Sequence, residues 1–147
     1  MSTKRAIAAS ILIGCATLAA PAHAEPCSAG PYMVFFDHNS AALTNQAKAI
    51  LDWAAKAYSD CANARVLMAG HTDRVGTDEA NLALSKAMAS GVRQYLISKG
   101  VPARQFNVVS LGERQPLVPT EDEVSEPQNR RVEFIFSSEA VAETHQQ

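Results

Sequence analysis

No excess of positive charge runs through this sequence: 13 Lys and Arg stand against 15 Asp and Glu, a formal charge of −2 over 147 residues. Phosphate backbones are gripped by basic patches, and none is visible, so nucleic acid is not an expected partner. Long apolar runs are missing too. The run from Ala6 to Ala20 is too short and too rich in alanine to cross a bilayer, which takes roughly 20 apolar residues, and no later segment is apolar for long enough. The arrangements that catalysis needs are likewise absent: there is no Gly-x-Ser-x-Gly, no phosphate-cradling glycine loop, and no nucleophile beside a base in a readable loop, so no enzyme is expected. His38 and His71 lack the paired spacing of a zinc site, and no metal or cofactor is expected.

Cysteine is scarce, with three in the chain, and their placement depends on what is removed. Lys4 and Arg5 precede the apolar run Ala6 to Ala20, and Ala22-His23-Ala24 then supplies a small-x-small cleavage pattern. That is the layout of a secretory signal. Cleavage after Ala24 places the mature chain in the periplasm and takes away two cations and no acids, moving the formal charge from −2 to −4. It leaves Cys27 and Cys61, an even pair in an oxidising compartment, for which a disulfide is the economical reading. Leu12-Ile13-Gly14-Cys15 also reads as a lipobox, which would instead anchor the chain to the outer membrane through Cys15. The Ala24 site is preferred because cutting at Cys15 would leave it unused.

Beyond the signal, Pro31 to Phe36 is short, aromatic and β-branched, and suits a buried strand that ends in the polar Asp37-His38-Asn39-Ser40. Ala47, Ile50, Leu51, Ala54 and Tyr58 fall at helical spacing behind Thr44, an available N-cap. Ala64 to Gly70 is continuously apolar and is expected to be a central strand with no exposed face. A second helix is spaced by Leu84, Ala87, Met88, Val92, Tyr95 and Leu96, capped by Thr77 or Asp78 and closed by Gly100. Phe106 to Leu111 and Arg131 to Phe136 complete the strands, the last alternating enough to show one side to solvent. The segment between them, residues 112–129, carries Pro116, Pro119 and Pro127 among acids and is expected to be irregular and mobile. The order β-α-β-α-β-β predicts an α/β two-layer sandwich, with a mixed four-stranded sheet and two main helices on one face. Domain limits follow: signal 1–24, one domain 25–136, polar tail 137–147.

Chemistry concentrates in Gly70-His71-Thr72-Asp73-Arg74-Val75-Gly76. A strand ending at Gly70 delivers Thr72 and Asp73 to the rim of the sheet beside the next helix, where side chains and backbone donors converge. Asp73 could pair with an ammonium group, Thr72 could hydrogen-bond, and helical N–H groups near Asp78 to Asn81 could receive a carboxylate. A zwitterionic amino-acid end would satisfy all three. The plainer alternative for Asp73 is a cap on the turn.

This stretch, followed by Asn81, Leu84-Ser85, Ala89 and Val92, does not stand alone. Phe35-Phe36-Asp37 precedes the first helix, Gly112-Glu113 with Pro116 follows the third strand, and Asn129-Arg130-Arg131-Val132 opens the last. Together, from about Tyr32 to Phe136, they resemble an OmpA-like domain, a non-catalytic peptidoglycan-binding module of the Gram-negative periplasm. The resemblance implies the diaminopimelate of the peptidoglycan stem peptide as ligand, with Asp37, Thr72, Asp73 and Asn81 at the matching positions, and an outer-membrane or envelope protein as a further candidate partner. It also implies that this is not a barrel-containing member, since no barrel strands precede the domain.

One position departs. The family's second helix usually reads Leu-Ser-x-x-Arg-Ala, its arginine clamping a ligand carboxylate; here Leu84-Ser85-Lys86-Ala87-Met88-Ala89 puts Met88 in that place. Methionine forms no charge-assisted bond, each of which contributes on the order of 1.5–3 kcal/mol, so tenfold or more in affinity is at stake. Taken alone, Met88 reads as core filling with Leu84 and Val92. Lys86 and Arg74 are nearby cations, and Arg130, Arg131 and Asn129 read chiefly as anchors of the last strand. The alternative to a wall binder is therefore an OmpA-like interaction scaffold with weakened or lost peptidoglycan binding. Intact mass of the exported chain is expected to match a start at Glu25 less two hydrogens; a diacylglyceryl increment on Cys15 would overturn that processing.

Overall fold

Two threonines start the helices. Thr44 and Thr77 adopt extended backbones, and their hydroxyl oxygens accept from the N–H of Ala47 and Ala80. They satisfy donors that a helix start leaves open. The computed structural model describes residues 28–61 and 63–137; the signal segment, Cys15, Cys27 and the tail beyond 137 lie outside them. Its main elements are β1 (Ser28–Phe35), α1 (Asn45–Ser59), β2 (Arg65–His71), α2 (Asp78–Ser98), β3 (Phe106–Gly112) and β4 (Arg131–Ser137), with short 3-10 turns at Ala103–Gln105 and Pro127–Asn129. Helix α2 stops where expected: Gly100 takes φ +104°, and its N–H donates to the Ile97 carbonyl at 3.0 Å. A left-handed glycine just past the last turn is a common helix stop.

The sheet order is β1-β4-β2-β3. β2 and β3 are parallel and are joined through α2, as a parallel pair requires a crossover. β4 runs antiparallel to both β1 and β2. The last strand thus threads into the middle and places Arg131 opposite both Phe35 and His71.

Side-chain alternation on this sheet builds one core. Val34, Val66, Met68, Val132, Phe134 and Phe136 face inward and join Leu51, Ala54, Tyr58, Met88, Val92 and Leu96 of the helices in a single buried cluster. Burying each of the larger side chains contributes roughly 1.5–3 kcal/mol. Aromatic rings knit its β1–β4 end: Tyr32 stacks on Phe134 at 5.1 Å, and Tyr58 meets Phe136 edge-on at 5.2 Å. The Tyr58 hydroxyl donates to the Ala64 carbonyl, fixing the end of α1 to the entry of β2.

The opposite face is open, and here two expectations are corrected. β2 is central but not buried on both sides, since Leu67 and Ala69 are half-buried and line a shallow cleft of about 580 Å³ with Met33, Val109 and Ile135. β1 is an edge strand whose Phe35 is 43% exposed. Both helices cover the same face, so a continuously apolar run need not mean two covered faces. β4 also continues one residue beyond its expected end, to Ser137.

Helix α2 comes unusually close to β2 at Gly70. A methyl group there would collide with the Ser85 carbonyl oxygen and press on the Ala89 side chain. Gly70→Ala is therefore expected to lower stability by about 1–3 kcal/mol through overpacking. Urea denaturation measures it; an unchanged midpoint would mean that α2 does not sit this close.

Candidate ligand-binding site

Three segments meet at the guanidinium of Arg130. Its Nε donates to the Phe36 carbonyl at 3.2 Å, while Nη1 donates to Asp73 Oδ2 at 2.8 Å and to Ser125 Oγ at 3.0 Å. The Arg130 and Asp73 side chains are only 9% and 6% exposed. The end of β1, the loop after β2 and the approach to β4 are thus held together by one cation. Asp73 Oδ1 also accepts from the Val75 N–H at 3.4 Å. Asp73 therefore caps its own turn and carries a charge at the rim.

The structure distributes the four expected ligand residues unevenly. Asp37 is exposed and lines a cleft of about 330 Å³ with Phe35, Thr44, Gln46, Gln128 and Arg130. Arg130 is thus the element that Asp37 and Asp73 share. Thr72 lies beside Asp73 in sequence but is buried, its N–H donating to the Gly112 carbonyl; its hydroxyl oxygen has no hydrogen-bond partner among the described residues. Asn81 is also buried, and its amide donates to Glu113 at 2.6 Å. No hydrogen bond joins Asn81 to Asp73 among the described residues.

At the start of α2, two of the backbone donors that the sequence suggested, those of Ala80 and Asn81, are taken up internally. Thr77 caps Ala80 with its side chain and Asn81 with its carbonyl. Asp78 and Glu79 occupy the first turn, Arg114 pairs with Asp78 at 2.7 Å, and Glu113 adjoins through Asn81. A terminus already flanked by acids repels a further carboxylate.

The acidic segment before β4 was expected to be loose and is instead tied across the 72–76 loop. Arg74 pairs with Asp122 and donates to the Thr120 carbonyl at 3.0 Å. The Glu123 N–H donates to the Arg74 carbonyl at 2.8 Å, and the Glu123 carboxylate accepts from the Gly76 N–H at 3.3 Å. Glu123 adopts a left-handed backbone, φ +60°, which few residues of its type take without tertiary support. Arg74 is thereby consumed internally. A lone arginine opposite Glu121-Asp122-Glu123 was the available signal, but 46 residues or more separate the partners. Asn129, fully buried, bonds both the N–H and the carbonyl of Val118.

Met88 is fully buried in the core cluster, as its place on the apolar stripe suggested. His38 Nδ1 lies 4.0 Å from Asp73 Oδ2 and is largely exposed. Cys61 packs partly buried against the core; its expected partner Cys27 lies outside the described residues. Among the described residues no group of three His, Cys, Asp or Glu side chains converges in a way that could hold a metal ion.

Residues 35–130 match the OmpA family. The chain is 41% identical over 100 residues to a peptidoglycan-associated lipoprotein of Pseudomonas putida, covering 68% of this chain and 60% of that protein. It is 38% identical over 117 residues to an outer membrane protein of Gluconacetobacter diazotrophicus, covering 76% of this chain and 31% of that protein. It thus spans three fifths or less of the length of these relatives. Among solved structures, the peptidoglycan-associated lipoprotein from Burkholderia pseudomallei superposes with a TM-score of 0.66 at 36% identity, covering 71% of this chain and 89% of that one. The C-terminal domain of Helicobacter pylori MotB gives the same TM-score at 24% identity, covering 78% and 91%, a likeness of fold alone.

Beside the site, His71 is 1% exposed and its Nε2 lies 3.2 Å from Glu133 Oε1, with Arg131 bonded to the other carboxylate oxygen. Burial, reinforced by the Arg131 guanidinium, lowers the imidazole below its ordinary value against the opposing pull of Glu133. A histidine depressed in the fold stabilises it fully above the unfolded value of about 6.5, and that contribution is lost as pH falls below it through the folded value. Between pH about 7.5 and 5.5, wild-type Tm is expected to fall further than that of His71→Gln. Equal falls would show that folding does not lower the His71 pKa.

Proposed function

The chain belongs to the OmpA family, and we propose that it is a non-catalytic periplasmic module that holds the diaminopimelate-bearing stem peptide of peptidoglycan and so links an envelope component to the cell wall. The observation that carries this reading is the Asp73–Arg130 pair at the sheet rim. A diaminopimelate centre carries an ammonium beside a carboxylate. Asp73 faces the first and Arg130 the second, and adjacent opposite charges are complementary to a zwitterion where either alone is not. Thr72, with an unpartnered hydroxyl, supplies a further hydrogen bond, and Asp37 a second anion at the mouth of the cleft. Asn81 serves through Glu113 to hold the α2 start in place. Export with cleavage after Ala24 and a Cys27–Cys61 disulfide belong to the same proposal.

A second reading is favoured by Met88. With the usual guanidinium replaced by a fully buried thioether, the fold could serve as an interaction scaffold with reduced wall affinity. Sedimentation with purified sacculi separates the readings. Wild type is expected to co-sediment, and Asp73→Asn to lose about tenfold or more in affinity, the scale of one charge-assisted bond. Asp73→Ala is the harsher variant, because it leaves Arg130 buried and unpaired at a cost of about 3–5 kcal/mol, so thermal melts accompany both. Equal sedimentation of wild type and Asp73→Asn, or none by either, overturns the wall-binding reading. Met88→Arg raises binding if the wild type is a weakened binder; no change in a folded variant favours the scaffold.

A further inference from the structure

Trp53 is the only tryptophan of the chain, and it is 68% exposed. It stands on the outer flank of α1, braced edge-on against Tyr32 at 5.8 Å and 70°. The indole therefore has a fixed edge and an open surface, with no role in the core. It borders a cleft of about 490 Å³ with Pro31, Tyr32, Met33, Gln46 and Ile50. The cleft of Asp37 and Arg130 is also lined by Gln46. The two clefts thus share Gln46 on the β1–α1 seam, one on the side of the charged site and the other on the side of the indole. From Gln46 to Trp53 the helix advances about 10 Å.

The lining of the outer cleft selects a ligand class. No charged residue lines it, so an ionic group gains nothing by entering. It offers instead an aromatic surface, aliphatic walls and an amide that both donates and accepts. A pyranose ring matches this combination, since its C–H faces lie flat on an aromatic ring while its equatorial hydroxyl and acetamido groups take up hydrogen bonds. We propose that the Trp53 cleft is a subsite for the amino-sugar strand of peptidoglycan, with Trp53 as stacking platform and Gln46 as the polar contact. The proposal rests on the wall-binding reading and extends it: the stem peptide lies at Asp73 and Arg130, and the glycan to which it is attached follows the seam outward.

The exposed tryptophan is its own reporter. Titration with chitotetraose, a neutral amino-sugar oligomer without peptide, is expected to shift and saturate the tryptophan emission of the full mature chain. Glycan strands stripped of stem peptides by an amidase are expected to retain wild type and Asp73→Asn alike. Trp53→Ala and Gln46→Ala should bind them roughly tenfold more weakly, the scale of a single aromatic or polar contact. An exposed indole can be removed without opening the core, and thermal melts of both variants check this. Absence of any emission change with the sugar, or equal retention of wild type and Trp53→Ala on stripped glycan, overturns the subsite. So does an emission shift with an apolar peptide but none with the sugar. Loss of intact-sacculus binding in Asp73→Asn together with unresponsive Trp53 would overturn the subsite while leaving the wall-binding reading intact; if neither intact nor stripped material binds wild type, both fall.

Discussion

The guanidinium of Arg130 is the constraint on which the rest of the rim depends. It bonds the last carbonyl before the β1–α1 loop, the carboxylate after β2 and the hydroxyl of the segment that leads into β4. These three segments are far apart in sequence; backbone pairing brings the strand ends together, and the guanidinium ties in the loops beyond them. A buried ion pair is weak evidence for stability, because desolvating both groups offsets much of their attraction. Its effect is better described as specification. Three guanidinium bonds are made at once to a carbonyl, a carboxylate and a hydroxyl, and they keep a negative and a positive group side by side at the rim of the sheet.

Around that pair the chain neutralises its own charges. Arg74 is held by Asp122, Arg114 by Asp78, and the Glu123 carboxylate by a backbone N–H. The exposed pairs add little to stability. At the start of α2 they leave two acids in the first turn, where Thr77 caps the N–H groups of Ala80 and Asn81. The acidic segment is therefore part of the site's electrostatics. Its proline content made it look like a bare linker, but its acids find specific partners across the 72–76 loop.

Much of the architecture was legible in the sequence because it is written in local terms. Thr44 and Thr77 sit one residue before the helices begin, and Gly100 two residues past the end of α2; each acts through groups within four residues of itself. The four strands were visible as short apolar runs, and Met88 as core from its stripe with Leu84 and Val92. What stayed illegible is non-local. Nothing within β4 says that it lies between β1 and β2, and its Arg131 and Glu133 suggested a solvent face. In the fold Arg131 is buried, because His71 and Glu133 from two central strands give it charged and polar company. The site divided in the same way. Asp73 was evident from its loop, whereas its pairing with Arg130 across 57 residues could not be seen in either stretch alone.

The exchange of an arginine for Met88 shows how these levels interact. On a helix facing the sheet, a guanidinium can reach the rim only by carrying its charge past apolar neighbours, and it remains there only if an anion receives it. In this chain Asp73, a carboxylate at the rim, is already engaged by Arg130, so a second buried cation reaching it from position 88 would compete for the same partner. Methionine fills the same length without a charge to satisfy, and α2 packs tightly against β2 at Gly70 with the thioether in the core. Under the proposed function, the carboxylate-binding role is concentrated in one residue on β4's approach instead of shared between helix and strand. A site built this way has less electrostatic grip at its centre, and whatever affinity it has must draw more heavily on neutral contacts at its periphery, along the β1–α1 seam where aromatic and amide groups stand open to solvent.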